Sequence, residues 1–245
     1  MTNNSSNQNS QPPHPPASGN IATHSIARVI AFLTRRSARL LTGARSLWVG
    51  CAPEMKQRIY FANHNSHIDF ILLWSSLPTP IRRKTRPIAA SDYWTKDGLR
   101  RFLIQDTFNG VTIQRNRENN ADPLQPVKDV LAQGYSIIFF PEGTRTPPGH
   151  TPAFHRGAAS IALRGAKVLT PVIIKVSPTT LTKAEPWYRI PDRRVHFSFR
   201  VGADIDPHTF AALGPPPKAS RLLNDFVHDY FIKELATDER SEKRH

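Results

Sequence analysis

Between Asn63 and Asp69 the chain reads Asn-His-Asn-Ser-His-Ile-Asp, which sets the imidazole of His64 five residues ahead of the carboxylate of Asp69. A carboxylate bonded to one imidazole nitrogen fixes the tautomer and stabilises the imidazolium, leaving the other nitrogen to take a proton from an alcohol. That is general-base chemistry. On a continuous helix, residues five apart point about 140° away from each other, so the two side chains meet only if the chain turns before a helix settles. Asn65 and Ser66 suit such a turn. The bland alternative is a helix-entry cap that carries a satisfied histidine. His67 extends the pattern to His-x2-His-x-Asp, which invites a metal reading, but the spacing has no recognised partner set and no second His/Asp cluster follows.

Three further segments sit at the ends of predicted strands: Gly110-Val-Thr-Ile-Gln-Arg115, Phe140-Pro-Glu-Gly-Thr-Arg145 and Val168-Leu-Thr-Pro-Val-Ile173. An arginine suits bidentate phosphate contacts, and Glu142 suits an arginine or a hydroxyl. Gly143 allows close backbone approach. Against these readings stand a surface ion pair for Arg115 and mutual pairing of Glu142 with Arg145. Pro171 is read as shaping a strand end.

The order and spacing of these segments, over about residues 58 to 175, resemble the glycerolipid acyltransferases of the 1-acylglycerol-3-phosphate acyltransferase type. The resemblance implies that His64 is the base and Asp69 its orienting partner, with no covalent acyl-enzyme. It also implies that Arg115, Glu142, Gly143, Thr144 and Arg145 bind the acceptor's glycerol phosphate, and that no metal or cofactor is needed. The implied reaction moves a fatty acyl group from a coenzyme A or acyl carrier protein thioester to the sn-2 hydroxyl of lysophosphatidic acid. Its product is phosphatidic acid, an intermediate of phospholipid biosynthesis. The alternative within the family is the same chemistry on another acceptor, such as a lyso-ornithine lipid or another lysophospholipid. Outside enzymology the alternative is an inert lipid-binding protein, against which the intact His64, Asp69, Glu142 and Arg145 argue.

The elements that must position these residues alternate between strand and helix from Arg58 onward. Ile59 to Ala62, Pro87 to Ala90, Gly110 to Gln114, Ser136 to Phe140, Val168 to Val176 and Val195 to Val201 read as strands. Phe70 to Trp74, Lys96 to Gln105, Leu124 to Ala132, Phe154 to Leu163 and Arg221 to Leu235 read as helices, the first stopped by Pro78 and Pro80. Such alternation predicts an α/β fold, a single domain with a mostly parallel sheet flanked by helices. With 245 residues, a second full domain would leave both halves small.

Residues 1–20 contain no Asp, Glu, Lys or Arg and read as a disordered polar tail. Residues 21–50 carry Arg28, Arg35, Arg36, Arg39 and Arg45 and no acid, with Ile26, Val29, Ile30, Leu33, Leu40, Leu41, Leu47 and Trp48 at helical spacing. Charges interrupt this segment too often for a membrane-spanning helix, so it is predicted to lie on a membrane. Packing on the domain, or a removable targeting sequence, are its other readings. The catalytic domain then occupies residues 51–245.

A net charge of +14 favours an anionic partner. An anionic membrane surface, presented by the cytoplasmic face of the inner (plasma) membrane to a peripheral protein, fits better than nucleic acid, for which zinc-finger spacing and aromatic RNA-binding signatures are missing. The run Arg82-Arg83-Lys84-Thr85-Arg86 suits anionic headgroups or an acidic carrier protein, or is a solvated loop. A single cysteine, Cys51, excludes an intramolecular disulfide.

Overall fold

Ile59 and Phe61 point to one side of their strand, Tyr60 and Ala62 to the other, and all four are buried, so the strand needs cover on both faces. The computed structural model, which describes residues 21–242 apart from 67, 115–121, 148–149, 166, 179, 181, 183 and 186–194, shows that cover. The tail expected over residues 1–20 lies outside the described residues.

The chain runs α1 (Ile21–Thr42), β1 (Arg45–Trp48), β2 (Arg58–Ala62), α2 (Asp69–Ser76), α3 (Thr79–Arg83), β3 (Thr85–Ala90), α4 (Ser91–Trp94) and α5 (Gly98–Phe102). A π-helical turn (Leu103–Thr107) follows, then β4 (Val111–Ile113), α6 (Gln125–Ala132), β5 (Ser136–Phe139), α7 (Gly157–Gly165), β6 (Val168–Ser177), β7 (His196–Val201), α8 (His208–Ala211) and α9 (Pro216–Glu242). The sheet order is β1-β7-β6-β2-β5-β3-β4. Every neighbouring pair is parallel except β6 with β7. The mostly parallel α/β sheet expected from the alternation is therefore present, with β1 and β7 reversed against the other strands.

On one face Tyr60, Ala62 and Ile138 pack with Phe70 and Leu73 of α2. On the other, Ile59, Phe61 and Phe139 pack with Val127 of α6, Ala162 of α7 and α9. α9 contributes Leu223, Val227 and Phe231, which repeat every four residues and are all fully buried. Each such side chain stabilises the fold by about 1.5–3 kcal/mol relative to exposure, which fixes the closing helix against β6.

Four differences from the sequence expectation matter most. The first helix ends at Thr42 rather than reaching 50, because Gly43 takes a positive φ of 63° that stops a helix, and Arg45–Trp48 pairs with β7 as an edge strand. Leu47 and Trp48 fit the helical spacing by coincidence. The helix expected over Lys96–Gln105 starts only at Gly98, where the Asp97 side chain accepts from the Arg100 amide, and it widens into the π-helical turn. Pro171 lies inside β6, opposite Phe61, and not at its end. Its carbonyl accepts from the Gly202 amide just beyond the end of β7, so the amide hydrogen it lacks would fall past Val201, the last residue of that strand to pair with β6. Finally, the basic run is no loop: Arg82 is buried in α3, and Thr85 and Arg86 open β3.

Candidate active site

Where β2 leaves the sheet, Asn63 is buried, and its amide group replaces strand pairing. Its Nδ2 donates to the Ile174 carbonyl at 2.9 Å, and its Oδ1 accepts from the Ile174 amide at 2.7 Å. The carboxyl end of β2 is thereby anchored to β6 immediately before His64.

The next residues turn, as Asn65 and Ser66 suggested, and the turn is built around Asp69. Its Oδ2 accepts from the Asn65 amide at 2.7 Å and the Ser66 amide at 2.8 Å, and lies 3.0 Å from His64 Nδ1. Asp69 is fully buried and opens α2. The carboxylate selects the tautomer with the proton on Nδ1, so Nε2 is left with its lone pair. His64 keeps 20% of its side chain exposed, enough for a hydroxyl to reach it. Its ring rests on Phe140, with centroids 4.3 Å apart.

The Phe140–Arg145 segment follows the carboxyl end of β5, which pairs in parallel with β2, so both segments leave the same edge of the sheet. Ligands of open α/β sheets bind at that edge. Glu142 is only 3% exposed, and its oxygens go to the other loop and to its own. Oε1 accepts from the His64 amide at 2.7 Å, and Oε2 accepts from the Thr146 hydroxyl. The Thr146 amide in turn donates to the His64 carbonyl at 2.8 Å. Both backbone polar groups of His64 are thus held by the neighbouring segment. Burial pushes the Glu142 carboxyl above its ordinary value, more than the bonds from Thr146 and His64 pull it down.

Gly143 has φ of 65°, and a Cβ there would come within 3.1 Å of the His155 ring, so both the backbone and the space call for glycine. Thr144 is exposed and Arg145 half-buried on the same turn. Arg115 and His67 lie outside the described residues. Among the described residues, no three His, Cys, Asp or Glu side chains form a metal-holding group.

The structure brings His64 and Asp69 together as the turn at Asn65 and Ser66 suggested, whereas Glu142, expected at the acceptor, has its two oxygens engaged by the His64 amide and the Thr146 hydroxyl. Three residues to which sequence reasoning assigned no role join them. Asn63 anchors the strand end, Phe140 supports the imidazole and Thr146 completes the bonding of Glu142. The only sequence signal for Thr146 was its place one residue past the Pro-Glu-Gly-Thr-Arg run.

The fold and this geometry define a class: an α/β protein with a His–Asp pair able to activate a hydroxyl at the carboxyl edge of its sheet. The Acyltransferase family matches residues 51–175, and the chain belongs to that family. It is 30% identical over 125 residues to a 1-acyl-sn-glycerol-3-phosphate acyltransferase from Chlamydomonas reinhardtii, covering 50% of this chain and 35% of that protein. A Limnanthes alba protein of the same name is 23% identical over 191 residues, covering 76% of this chain and 61% of its own length. The chloroplastic enzyme of Arabidopsis thaliana is 32% identical over 132 residues, covering 49% and 33%. The chain therefore spans between about a third and three fifths of these relatives. The crystal structure of the 1-acyl-sn-glycerophosphate acyltransferase PlsC from Thermotoga maritima superposes with a TM-score of 0.56 at 20% identity, covering 88% of this chain and 82% of that one, and shares the fold.

Proposed function

We propose that the protein transfers a fatty acyl group from a coenzyme A or acyl carrier protein thioester to the sn-2 hydroxyl of lysophosphatidic acid, giving phosphatidic acid. One observation carries the chemistry: His64 Nδ1 is held 3.0 Å from a fully buried carboxylate at the carboxyl edge of the sheet. In the reaction His64 Nε2 takes the hydroxyl proton as the acceptor oxygen bonds to the thioester carbonyl carbon. The carbon–sulfur bond then breaks, and the departing thiolate takes the proton back from the imidazolium. Asp69 stabilises that imidazolium without leaving its amide donors, and the base contributes about 10²–10⁴ in rate. The names of the relatives, 1-acyl-sn-glycerol-3-phosphate acyltransferases, support this choice of acceptor.

In this reading Arg115, Arg145, Thr144 and the backbone at Gly143 bind the acceptor's glycerol phosphate. Glu142 acts at one remove, since its oxygens hold the loop that carries His64.

The lipid substrate is met at a bilayer surface. α1 packs on the domain through the small residues Ala27 and Ala31, which leaves Ile26, Val29 and Leu33 more than half exposed along its outer side. Arg28 and Arg36 flank that stripe, and the chain carries a charge of +14. An exposed apolar stripe with arginines beside it fits the boundary of an anionic membrane, and the cytoplasmic face of an inner membrane presents one. No helix among the described residues is long and apolar enough to cross a membrane.

The test is thiol release by the purified protein with acyl-coenzyme A or acyl carrier protein and a mixture of lysolipids, with products weighed by mass spectrometry. Phosphatidic acid as the main product is expected. Another acylated lysolipid would overturn the acceptor, and no release with either donor would overturn the enzyme reading.

A further inference from the structure

A cavity of about 780 Å³ lies away from the catalytic pair. Thr85, the first residue of β3, and Asn109, which precedes β4, line it, so it opens at the amino ends of these strands. β2, β5, β3 and β4 run parallel, so His64 and Glu142, beyond carboxyl ends, stand at the opposite edge. Neither lines the cavity.

Two basic segments far apart in sequence meet here. Arg28 arrives on α1, and Arg82 and Arg83 arrive on α3, while among the described residues no Asp or Glu lines the cavity. Arg82 is held in place: its Nη1 donates to the Leu77 carbonyl at 3.0 Å, its Nη2 to Thr79 Oγ1 at 3.2 Å, and its guanidinium stacks over Trp74. Arg28 and Arg83 are exposed. Three guanidinium groups lining one cavity attract an anion, and guanidinium geometry matches the paired oxygens of a phosphate.

The rest of the wall is not that of a site for a free ion. The rings of Phe32, Trp74 and Phe108 line it beside the arginines. Phe32 is 46% exposed and sits one helical turn from both Arg28 and Val29, so it joins the cavity to the apolar outer stripe of α1. A ligand that places a phosphate among the arginines can leave along Phe32 with its apolar portion on Val29 and Leu33. We infer that this cavity binds a phosphate-bearing amphiphile, an anionic phospholipid taken from the bilayer, at a site separate from the catalytic one.

The experiment titrates the full chain with soluble dihexanoylphosphatidylglycerol in a calorimeter. The double variant Arg28→Glu with Arg83→Glu is compared with Lys218→Glu plus Arg221→Glu, which makes the same change of charge at the start of α9. The cavity variant is expected to bind about tenfold or more weakly, and the α9 variant to stay within about twofold of the unaltered protein. Arg28→Gln with Arg83→Gln is expected to weaken binding in the same direction and serves if the reversed charges unsettle α3. Inorganic phosphate at matched concentration is expected not to displace the lipid. Equal binding by the cavity variant and the unaltered protein, or equal losses in the two charge-reversed variants, would overturn the site. Displacement by phosphate alone would overturn the lipid assignment in favour of a free anion.

Discussion

At the amino end of β2, Arg58 is 1% exposed and its guanidinium meets both oxygens of Asp204, at 3.0 and 3.2 Å. At the carboxyl end, five residues along, Asn63 hands the chain to His64, and the neighbouring carboxylates are held by amides, a hydroxyl and an imidazole. Asp204 also accepts from Thr170 at 2.7 Å and Lys56 at 3.1 Å. Burial alone would raise its carboxyl, but the bonds from Arg58, Thr170 and Lys56 outweigh burial and hold it below its ordinary value. Glu142 goes the other way, because burial there outweighs its bonds. One strand thus carries a satisfied ion pair at one end and carboxylates poised around a proton acceptor at the other. A cross-link of charge serves the fold; carboxylates bonded by amides, a hydroxyl and an imidazole suit a ring that becomes charged in the proposed reaction.

The sharpest way to break this contrast is to alter each end separately. Asp69→Asn removes the anion that supports the imidazolium but keeps the size, so acyl transfer should fall on the order of 10²–10⁴, with the thermal midpoint nearly unchanged. A steady-state thiol-release assay beside a melting curve reads both. Asp204→Ala should do the reverse. It leaves a buried guanidinium without its carboxylate, a loss of about 3–5 kcal/mol of stability by urea unfolding, while activity per folded molecule is retained at low temperature. If Asp204→Ala lost activity without losing stability, the division of labour along β2 would be wrong.

Thr146→Val is a milder probe of the carboxyl end. It takes one donor from Glu142 and loosens the bonding of the His64 loop, for which we expect a loss in kcat of about tenfold with KM little changed, and recovery in Thr146→Ser. A change confined to KM would place Thr146 with the acceptor and not with the base.

The smallest effects are in pH. Asp204, with its depressed value, contributes stability that is present above its ordinary 3.8 and lost as pH falls through the folded value. Glu142 has a raised value, so its contribution is full below its ordinary 4.5 and is lost as pH rises through the folded value. Urea unfolding across this range should show the advantage of the unaltered protein over Asp204→Asn growing with pH and its advantage over Glu142→Gln shrinking. Parallel slopes for the two variants would contradict the comparison.

The amino-acid pattern disclosed the catalytic end better than the structural one. His64, Asp69 and Glu142 are chemically unusual residues in short, local motifs, and the turn that joins the first two follows from Asn65 and Ser66. The Arg58–Asp204 pair joins residues 146 positions apart, which no local pattern encodes. The same holds for the meeting of Arg28 with Arg82 and Arg83, which depends on how α1 lies on the domain. The strands β2, β5 and β6 were legible because their apolar runs are buried, and β7 because apolar and polar residues alternate along it, whereas β1 is a half-exposed edge strand whose residues also satisfy helical spacing. Its one local sign was Gly43, where a positive φ ends the preceding helix.

The proposed chemistry stands on the imidazole beside Asp69 as the base for acyl transfer. The direct measurement is single-turnover thiol release from acyl-coenzyme A in the presence of lysophosphatidic acid, for the unaltered protein and His64→Ala at matched fold by circular dichroism. A loss of about 10²–10⁴ in the rate of the chemical step is expected, with lysolipid binding preserved. Unaltered turnover by His64→Ala would contradict it.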